Sequence, residues 1–452
     1  MLAAPPEFDY DAMVSALQPL EILRDPQQVA KLSSDYHTFS PILVPQLKGC
    51  VAEAVVRPGD MTELRQAVAY LAQQGIPMTL RGAGTGNYGQ AVPLRGGVVL
   101  DLTKLNQVLW VQGSRTRVQA GAKLAAIDKV TRETGWEIRM APSTIRTATI
   151  GGFIAGGSGG MGSITYGQLR DRGNILALQV MTVEPEPRLL ELRGDDVYKV
   201  AHAWGTNGII TEVELPLAPA YAWAEQAIAF SDFMQAARFC QALADADGIL
   251  KKLISLHAWP LPSYFSPIKS AVIPGSHLVL VMVAETSLEA FADLVREWQG
   301  YVTYAKTAQE ASKGTLIVEL TWNHTTLHAR SVDPSLTYLQ SLFPWEADLA
   351  TVEKLYHHYG EEVMMHLEWI RVGGKAVPVG LQVVRFSTPA RLEQIMEEHE
   401  ANGVMIANPH TYIIEDGGRK VIDPQQIAFK KAVDPQGLLN PGKMRTWEAT
   451  GT

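Results

Sequence analysis

Apolar and polar positions follow two rhythms along this chain. Residues 62–74 place Leu64, Val68 and Leu71 at helical spacing, with Gly75 as the stop, and residues 124–135 read as a second helix ending at Gly135. Around these lie short runs rich in Val, Ile and Leu: 54–57 closed by Pro58, then 76–80, 97–102, 117–121, 174–183 and 208–216, each predicted as a strand. Beyond Pro216 and Pro219 the alternation resumes, with helices predicted over 233–244, 288–298 and 389–402 and strands over 278–283, 315–320 and 380–386. Leu17, Leu20, Ile22 and Leu23 mark the apolar face of a helical lead punctuated by Pro26 and Pro41. The expected organisation is a lead over 1–50, an α+β domain over 51–218, a second α+β domain over 219–430, and a tail over 431–452 rich in Pro and Gly.

A chain of 452 residues exceeds one ordinary core, which agrees with that division. The net charge of -8 excludes a protein that binds nucleic acid through a basic footprint. The first ten residues lack a basic start and an apolar core, so no signal peptide is expected. No apolar run reaches the ~18 residues that a membrane span requires. Cys50 and Cys240 form no Cys-x-x-Cys pair and read as small buried side chains, so a reducing, cytoplasmic setting is the expectation.

Two glycine-dense segments carry the chemistry. The first, Arg81-Gly82-Ala83-Gly84-Thr85-Gly86-Asn87, follows a strand-like run. Its glycines allow a tight turn whose N–H groups face a phosphate or pyrophosphate. It does not open a helix, since Tyr88 to Pro93 has no helical period, and it lacks Gly-Lys-Ser/Thr. The dinucleotide fingerprint and the P-loop therefore both fail. The second segment contains Pro142 and Ser143, then Thr149, Gly151, Gly152, Ala155, Gly156, Ser158 and Gly159. Such density, costly in backbone entropy, points to close approach by a large flat or phosphorylated ligand held from two sides.

These motifs bear a resemblance. Val55-Val56-Arg57-Pro58, Ile76 to Asn87, Gly97 to Leu102, Val118-Gln119-Ala120-Gly121, Ala148 to Gly152, Tyr166-Gly167 with Asp171, Gly205 to Glu212, and Asp434 to Lys443 occur in the order seen in one family. The chain resembles the flavin-binding oxidoreductases of the vanillyl-alcohol oxidase and p-cresol methylhydroxylase superfamily, nearest to its glycolate oxidase and D-lactate dehydrogenase branch. The resemblance implies an α+β fold with a two-subdomain FAD-binding domain of the p-cresol methylhydroxylase type over 51–218 and a substrate, or cap, domain over 219–430. Arg81 to Asn87 would wrap the pyrophosphate. Pro142, Ser143 and Thr149 to Gly152 would line the other side, with Ala155, Gly156, Ser158 and Gly159 nearer the ring. Ile210 would meet either the adenine or the dimethylbenzene–ribityl neighbourhood, and Asn440 and Lys443 would bring the tail back to the flavin.

Some relatives tether FAD through a histidine in the first loop; Thr85 stands there, so noncovalent FAD is expected. The His-x-Gly-Asp-Gly-Asn-x-His metal stretch of the lactate and hydroxyglutarate enzymes is missing, so no metal is expected.

In the second domain, His324 and His328 lie four apart, as on one helix face, and offer a substrate contact. His410 or Tyr412 would serve as general base, and Arg385 as a guanidinium clamp for a carboxylate, with Arg330 and Arg371 weaker versions. His366 reads as a core histidine and His357-His358 as a helix surface. The implied activity is oxidation of a small alcohol or 2-hydroxy acid by hydride transfer to flavin N5, with oxygen, a quinone or a protein as electron acceptor. The alternative is a non-catalytic flavin-binding subunit of a heteromeric oxidase, and self-association or a partner subunit is open under either.

Overall fold

A computed structural model describes residues 8–157, 159–417, 422 and 424–449. Its first sheet is built from the predicted βαβ rhythm. Strand Ala54–Arg57 leads into helix Met61–Gln73, then strand Met78–Arg81, and Val98–Asp101 inserts between the two strands in parallel. The helix starts where Asp60 accepts hydrogen bonds from the N–H groups of Thr62 and Glu63 at 2.8 and 2.9 Å. Leu64, Val68 and Leu71 are fully buried against the sheet, as their spacing demands. The lead is not wholly helical: Glu21–Leu23 forms a strand antiparallel to Ala54–Arg57. Ile22 therefore packs from a sheet edge rather than from a helix face, because pairing the open edge outweighs local propensity.

The second sheet is antiparallel, in the order Val108–Gln112, Arg115–Gln119, Ile209–Pro219, Ala177–Met181, Leu189–Arg193, with Trp136–Ile138 pairing the far end of Ile209–Pro219. An eight-stranded antiparallel sheet follows: Tyr301–Lys306, Trp223–Phe230, His277–Ala284, Lys251–His257, His366–Val372, Lys375–Gly380, Ser341–Leu342, Met405–Ile406. Its central strand His277–Ala284 is buried on both faces. Val279, Val281 and Val283 join one core, beneath helices Phe233–Asp245 and Leu288–Glu297, while Leu278, Leu280 and Met282 join another. That second core also holds Val118, Ile154, Leu178 and Val213, so the hydrophobic interior is continuous from the antiparallel sheet of the first half into the second. Burial on both sides explains the unbroken apolar run.

Two expectations change here. Residues 315–320 form no strand; Ile317–Leu320 is a 3₁₀ turn that buries Ile317, Val318 and Leu320 together. Residues 380–386 are not one strand either. Lys375–Gly380 ends in the large sheet, and Val383–Arg385 belongs to a separate three-stranded sheet with Leu336–Tyr338 and Val363–Met364. The chain changes sheets at Gln382, whose buried side chain bonds Ser341 and His399.

A buried ion pair ties the halves together. Lys252 Nζ on the large sheet donates to Glu137 Oε1 at 2.8 Å, Trp223 Nε1 donates to the same carboxylate, and Arg132 reaches its outer oxygen. The tail pairs with the first sheet: Met78 N–H donates to Leu438 O and Asn440 N–H to Met78 O, extending the edge of the parallel strands. Among the described residues no helix is long and apolar enough to cross a membrane, and both cysteines are free.

Candidate functional site

The two glycine-dense segments meet in one place. The first leaves the end of strand Met78–Arg81 as an irregular loop. The second contains a helix, Ile150–Gly156, despite its density of glycine. Thr149 caps it, accepting from Gly152 N–H, and Gly157 ends it in the left-handed region. Pressing the segments together needs glycine: a Cβ on Gly82 would sit 2.1 Å from Thr149 Oγ1.

Between them lies a cavity of about 390 Å³. Arg81, Gly82, Ala83, Gly84, Thr85, Gly86 and Asn87 line one part of it, and Pro142, Ser143, Thr149, Gly151, Gly152, Ala155, Gly156, Gly159 and Ile210 line others. Ser158 lies outside the described residues. Among those residues, nothing in the chain accepts a hydrogen bond from the N–H of Ala83, Gly84, Thr85, Gly86 or Asn87. A run of unpaired amides bordering a cavity is an anion nest. The Arg81 side chain does not face an anion. Its Nη1 donates to the carbonyls of Leu32 and Ser34 at 2.9 and 2.6 Å, stiffening the loop from behind, and burial lowers its pKa.

Asn440 and Lys443 do not line the cavity. Asn440 Nδ2 donates to the carbonyls of Gln90 and Trp204, and Lys443 Nζ to that of Gly89. Both brace the loop beyond the nest. Lys443 is wholly buried, and desolvation lowers its pKa to about 7 against the pull of Asp35 and Cys50.

The remaining wall comes from the large sheet and its neighbours: Trp322, Asn323, Gln340, Ser341, Leu342, Ile370, Val379, Gly380, Leu381, Met405 and Ala407. Trp322 holds a left-handed backbone at φ 51°, fixed by its N–H donating to Glu368 Oε1 at 2.7 Å. His202 and Trp204, also on the cavity, likewise have positive φ, at 55° and 52°. Backbone strain of this kind gathers at functional sites.

The expected catalytic side chains are placed elsewhere. His410 is buried with both ring nitrogens occupied, Nδ1 by Ser40 Oγ at 2.8 Å and Nε2 by Tyr338 O at 3.0 Å; burial lowers its pKa to about 4. Tyr412 lies under Lys443, 5.8 Å from Nζ to the ring centre. Arg385 is exposed and paired with Glu361 at 3.0 Å. His324 does follow Asn323 on the helix Asn323–Val332, but desolvation lowers its pKa to about 4; His328 Nε2 bonds Glu319 O. None of these lines the cavity. Arg330 and Arg371 spend hydrogen bonds on backbone carbonyls, Arg330 on Leu336, Arg371 on Ile164 and Gly374. His366 is a core histidine stacked on His257 and bonded to Glu368 at 2.9 Å. The wall residues Trp322 and Asn323 were passed over for the neighbouring histidines. Their only signal was position, an indole and an amide after a largely apolar run at the start of a helix.

Comparison with known proteins agrees with this architecture. A family model described as an FAD binding domain matches residues 52–188. An uncharacterised FAD-linked oxidoreductase of Mycobacterium tuberculosis is 28% identical over 216 residues, 45% of each chain. The glycolate oxidase subunit GlcD of Escherichia coli is 28% identical over 263 residues, 55% of this chain and 50% of that one. A D-lactate dehydrogenase of Archaeoglobus fulgidus is 29% identical over 36% of this chain and 38% of its own. The chain thus spans about half the length of the curated relatives it matches. Among solved structures, an alkyldihydroxyacetonephosphate synthase superposes with a TM-score of 0.74 at 16% identity, covering 98% of this chain and 86% of that one. The 4-ethylphenol oxidase of Gulosibacter chungangensis gives 0.66 at 16% identity, covering 98% of both. At that identity they show the fold alone.

The cavity suits the cofactor these matches name: unpaired amides for a diphosphate, and a glycine-lined cleft that side chains would fill. The chain thus carries an FAD-binding domain over residues 52–188, related to those of FAD-linked oxidoreductases, within a two-part α+β fold shared with the alkyldihydroxyacetonephosphate synthase and the 4-ethylphenol oxidase.

Proposed function

We propose that the protein oxidises a small alcohol or 2-hydroxy acid at the junction of the glycine-lined cleft and the large sheet. The observation that carries the reading is the single cavity shared by the amide nest and the wall around Trp322. The division at 218/219 into a cofactor half and a substrate half is part of this proposal. Bound FAD would supply the two-electron acceptor, taking a hydride at N5. The residues of the chain do the rest. The amides of Ala83 to Asn87 would hold the diphosphate, and Pro142, Ser143 and the Thr149–Gly152 turn would border the other side, with Ala155, Gly156 and Gly159 nearer the ring. The largely apolar sheet wall excludes water from the reacting carbon. The names of the glycolate oxidase and D-lactate dehydrogenase relatives support CH–OH chemistry.

In this reading the general base is neither His410, which is sequestered, nor Tyr412, since neither lines the cavity. The cavity-lining histidine is His202, whose ring packs on Gly157: a Cβ there would lie 2.1 Å from it. Binding of FAD is proposed to be noncovalent, with Thr85 at the loop position where relatives carry a histidine. Acid precipitation should release all flavin, and colour retained in the pellet would refute this. We place the protein in the cytoplasm, in keeping with its two free cysteines.

The test is anaerobic titration of the purified flavoprotein with small alcohols and hydroxy acids, followed at the flavin absorbance. Bleaching by at least one class supports an enzyme, whose acceptor is then sought among oxygen, quinones and proteins. A second reading, a subunit without turnover, is favoured by the relative named as a glycolate oxidase subunit. Flavin that no compound bleaches, in a protein that co-purifies with a partner, would establish it instead.

A further inference from the structure

Residues 166–174 form a loop of the first half that rests on the large sheet. Arg371, on strand His366–Val372, donates from Nε to Ile164 O at 3.2 Å, and a Cβ on Gly167 would lie 3.7 Å from Arg371 O. The loop is held firmly. Asp171 Oδ2 accepts from Gln168 N–H at 2.8 Å, and Asn174 Nδ2 donates to the carbonyls of Tyr166 and Gln168 at 2.9 and 2.8 Å. Gly167 has φ +77°, and a Cβ there would sit 2.3 Å from Asp171 Oδ2. Leu169 is buried in the core shared by the two halves. The backbone that carries Arg170 is therefore anchored on both sides.

Gln168 and Arg170 both border the cavity, as does Ile370 of the strand beneath them. Arg170 is exposed, which puts it at the solvent edge of the cavity. Its neighbours are committed: Arg172 pairs with Asp195 at 2.6 Å, and Arg139 donates to the carbonyls of Leu217 and Gly173. The other charged side chains on the cavity are committed too. Arg81 holds the carbonyls of Leu32 and Ser34, and Asp35 accepts from the N–H groups of His37 and Ala91. Arg385, offered by the sequence as a clamp, faces Glu361 instead. Among the described residues Arg170 has neither a hydrogen bond nor an ion pair, and the Gln168 side chain has no partner.

A guanidinium presents parallel N–H donors that match the two oxygens of a carboxylate. At the edge of a cavity such an anion keeps part of its hydration, so desolvation does not cancel the attraction. The Gln168 amide, two residues away, has donors for the same ligand.

We propose that Arg170 is the specificity-determining residue of the substrate site: its guanidinium receives the carboxylate of a hydroxy acid at the solvent edge of the cavity, with the Gln168 amide as second contact. The anion is thus gripped by the half that carries the glycine cleft, not by the large sheet. This rests on the oxidoreductase reading above and narrows it.

Matched pairs that differ only in the carboxylate test it: lactate of either hand against 1,2-propanediol, and mandelate against benzyl alcohol. The holoprotein is mixed anaerobically with each, and the concentration dependence of flavin bleaching gives a dissociation constant and a limiting rate. The acid of at least one pair should bind about tenfold or more tighter than its neutral partner. Arg170→Ala should weaken that acid by about ten- to a hundredfold, the loss of a charge-assisted contact, and leave the neutral compound unchanged. Arg170→Lys, which keeps the charge without the paired donors, should recover part of the loss. Gln168→Ala should weaken the acid by about three- to tenfold. Arg172→Ala should change neither affinity. Added salt should weaken the acids and spare the neutral compounds. Flavin content and circular dichroism should be those of the wild type throughout. Neutral compounds preferred, or acid affinity retained in folded Arg170→Ala, would overturn this proposal and leave the oxidoreductase reading intact. So would release of flavin from Arg170→Ala, which would assign the guanidinium to the cofactor. No bleaching by any member of either pair would overturn both.

Discussion

Replacing Gly84 by alanine tests whether the nest is held as the geometry indicates. Gly84 sits at φ +67°, and a Cβ there would lie 2.2 Å from Arg81 Nη2, 2.3 Å from Cζ and 2.5 Å from Nη1. Two costs follow. The left-handed backbone costs an L-residue about 1–2 kcal/mol. The guanidinium must also move, and it cannot do so freely, because Nη1 is pinned to Leu32 O and Ser34 O. Losing one hydrogen bond to a charged donor costs about 1.5–3 kcal/mol. Gly113 separates the two costs. It lies in the exposed turn between strands Val108–Gln112 and Arg115–Gln119 at φ +56°, with nothing within 4 Å of its would-be Cβ. Gly113→Ala should therefore show the backbone cost alone. Urea unfolding of the two variants at the same FAD concentration should differ by about 1.5–3 kcal/mol, the Arg81 contribution. The flavin-to-protein absorbance ratio should fall only in Gly84→Ala, and Gly84→Val should be largely apo. If Gly84→Ala matches Gly113→Ala in both measurements, the loop is not locked by Arg81 and the argument for a rigid nest fails.

Other consequences are equally direct. Glu137→Ala leaves Lys252 buried without its counter-charge and should cost about 3–5 kcal/mol in urea unfolding; a loss below ~1 kcal/mol would mean that Lys252 finds water. Lys443 has a folded pKa of about 7, below its ordinary 10.5, so its contribution to stability is complete above pH 10.5 and lost as pH falls through 7. Wild type minus Lys443→Met should accordingly gain up to about 1.4 kcal/mol per pH unit between pH 7 and 10, and parallel profiles would exclude a neutral buried lysine. Glu368→Gln keeps the shape but weakens the hold on the Trp322 N–H and should shift the flavin spectrum, while Glu368→Ala should shift it further. An unaltered spectrum in Glu368→Ala would show that Trp322 is positioned by other contacts.

Much of the first half was legible because its signals are local. Leu64, Val68 and Leu71 announce a helix face by spacing, and the run before Arg81 announces a strand. The cleft residues from Arg81 to Asn87 stand out because glycine is tolerated at such density only where backbone must come close to something. What glycine meets is not written in the chain. At Gly82 it meets Thr149, at Gly84 the Arg81 guanidinium, and at Gly157 the ring of His202, all contacts made by folding. The helix Ile150–Gly156 was hidden for a related reason, since its Thr149 cap and its packing offset poor intrinsic propensity.

The second half shows where local reading stops. His410 and Arg385 are chemically able residues in suggestive surroundings, yet one is stapled between Ser40 and Tyr338 and the other faces Glu361. Which side of a strand meets the cavity depends on register and on the sheet to which the strand belongs, and a change of sheet at Gln382 sends Arg385 away from it. The sequence by itself determined the rhythm of elements, the glycine cleft and the kind of cofactor. Only the tertiary structure decided which side chains face that cofactor's cavity, because hydrogen bonds and burial across hundreds of residues, not spacing along the chain, choose whether a polar atom is spent or free.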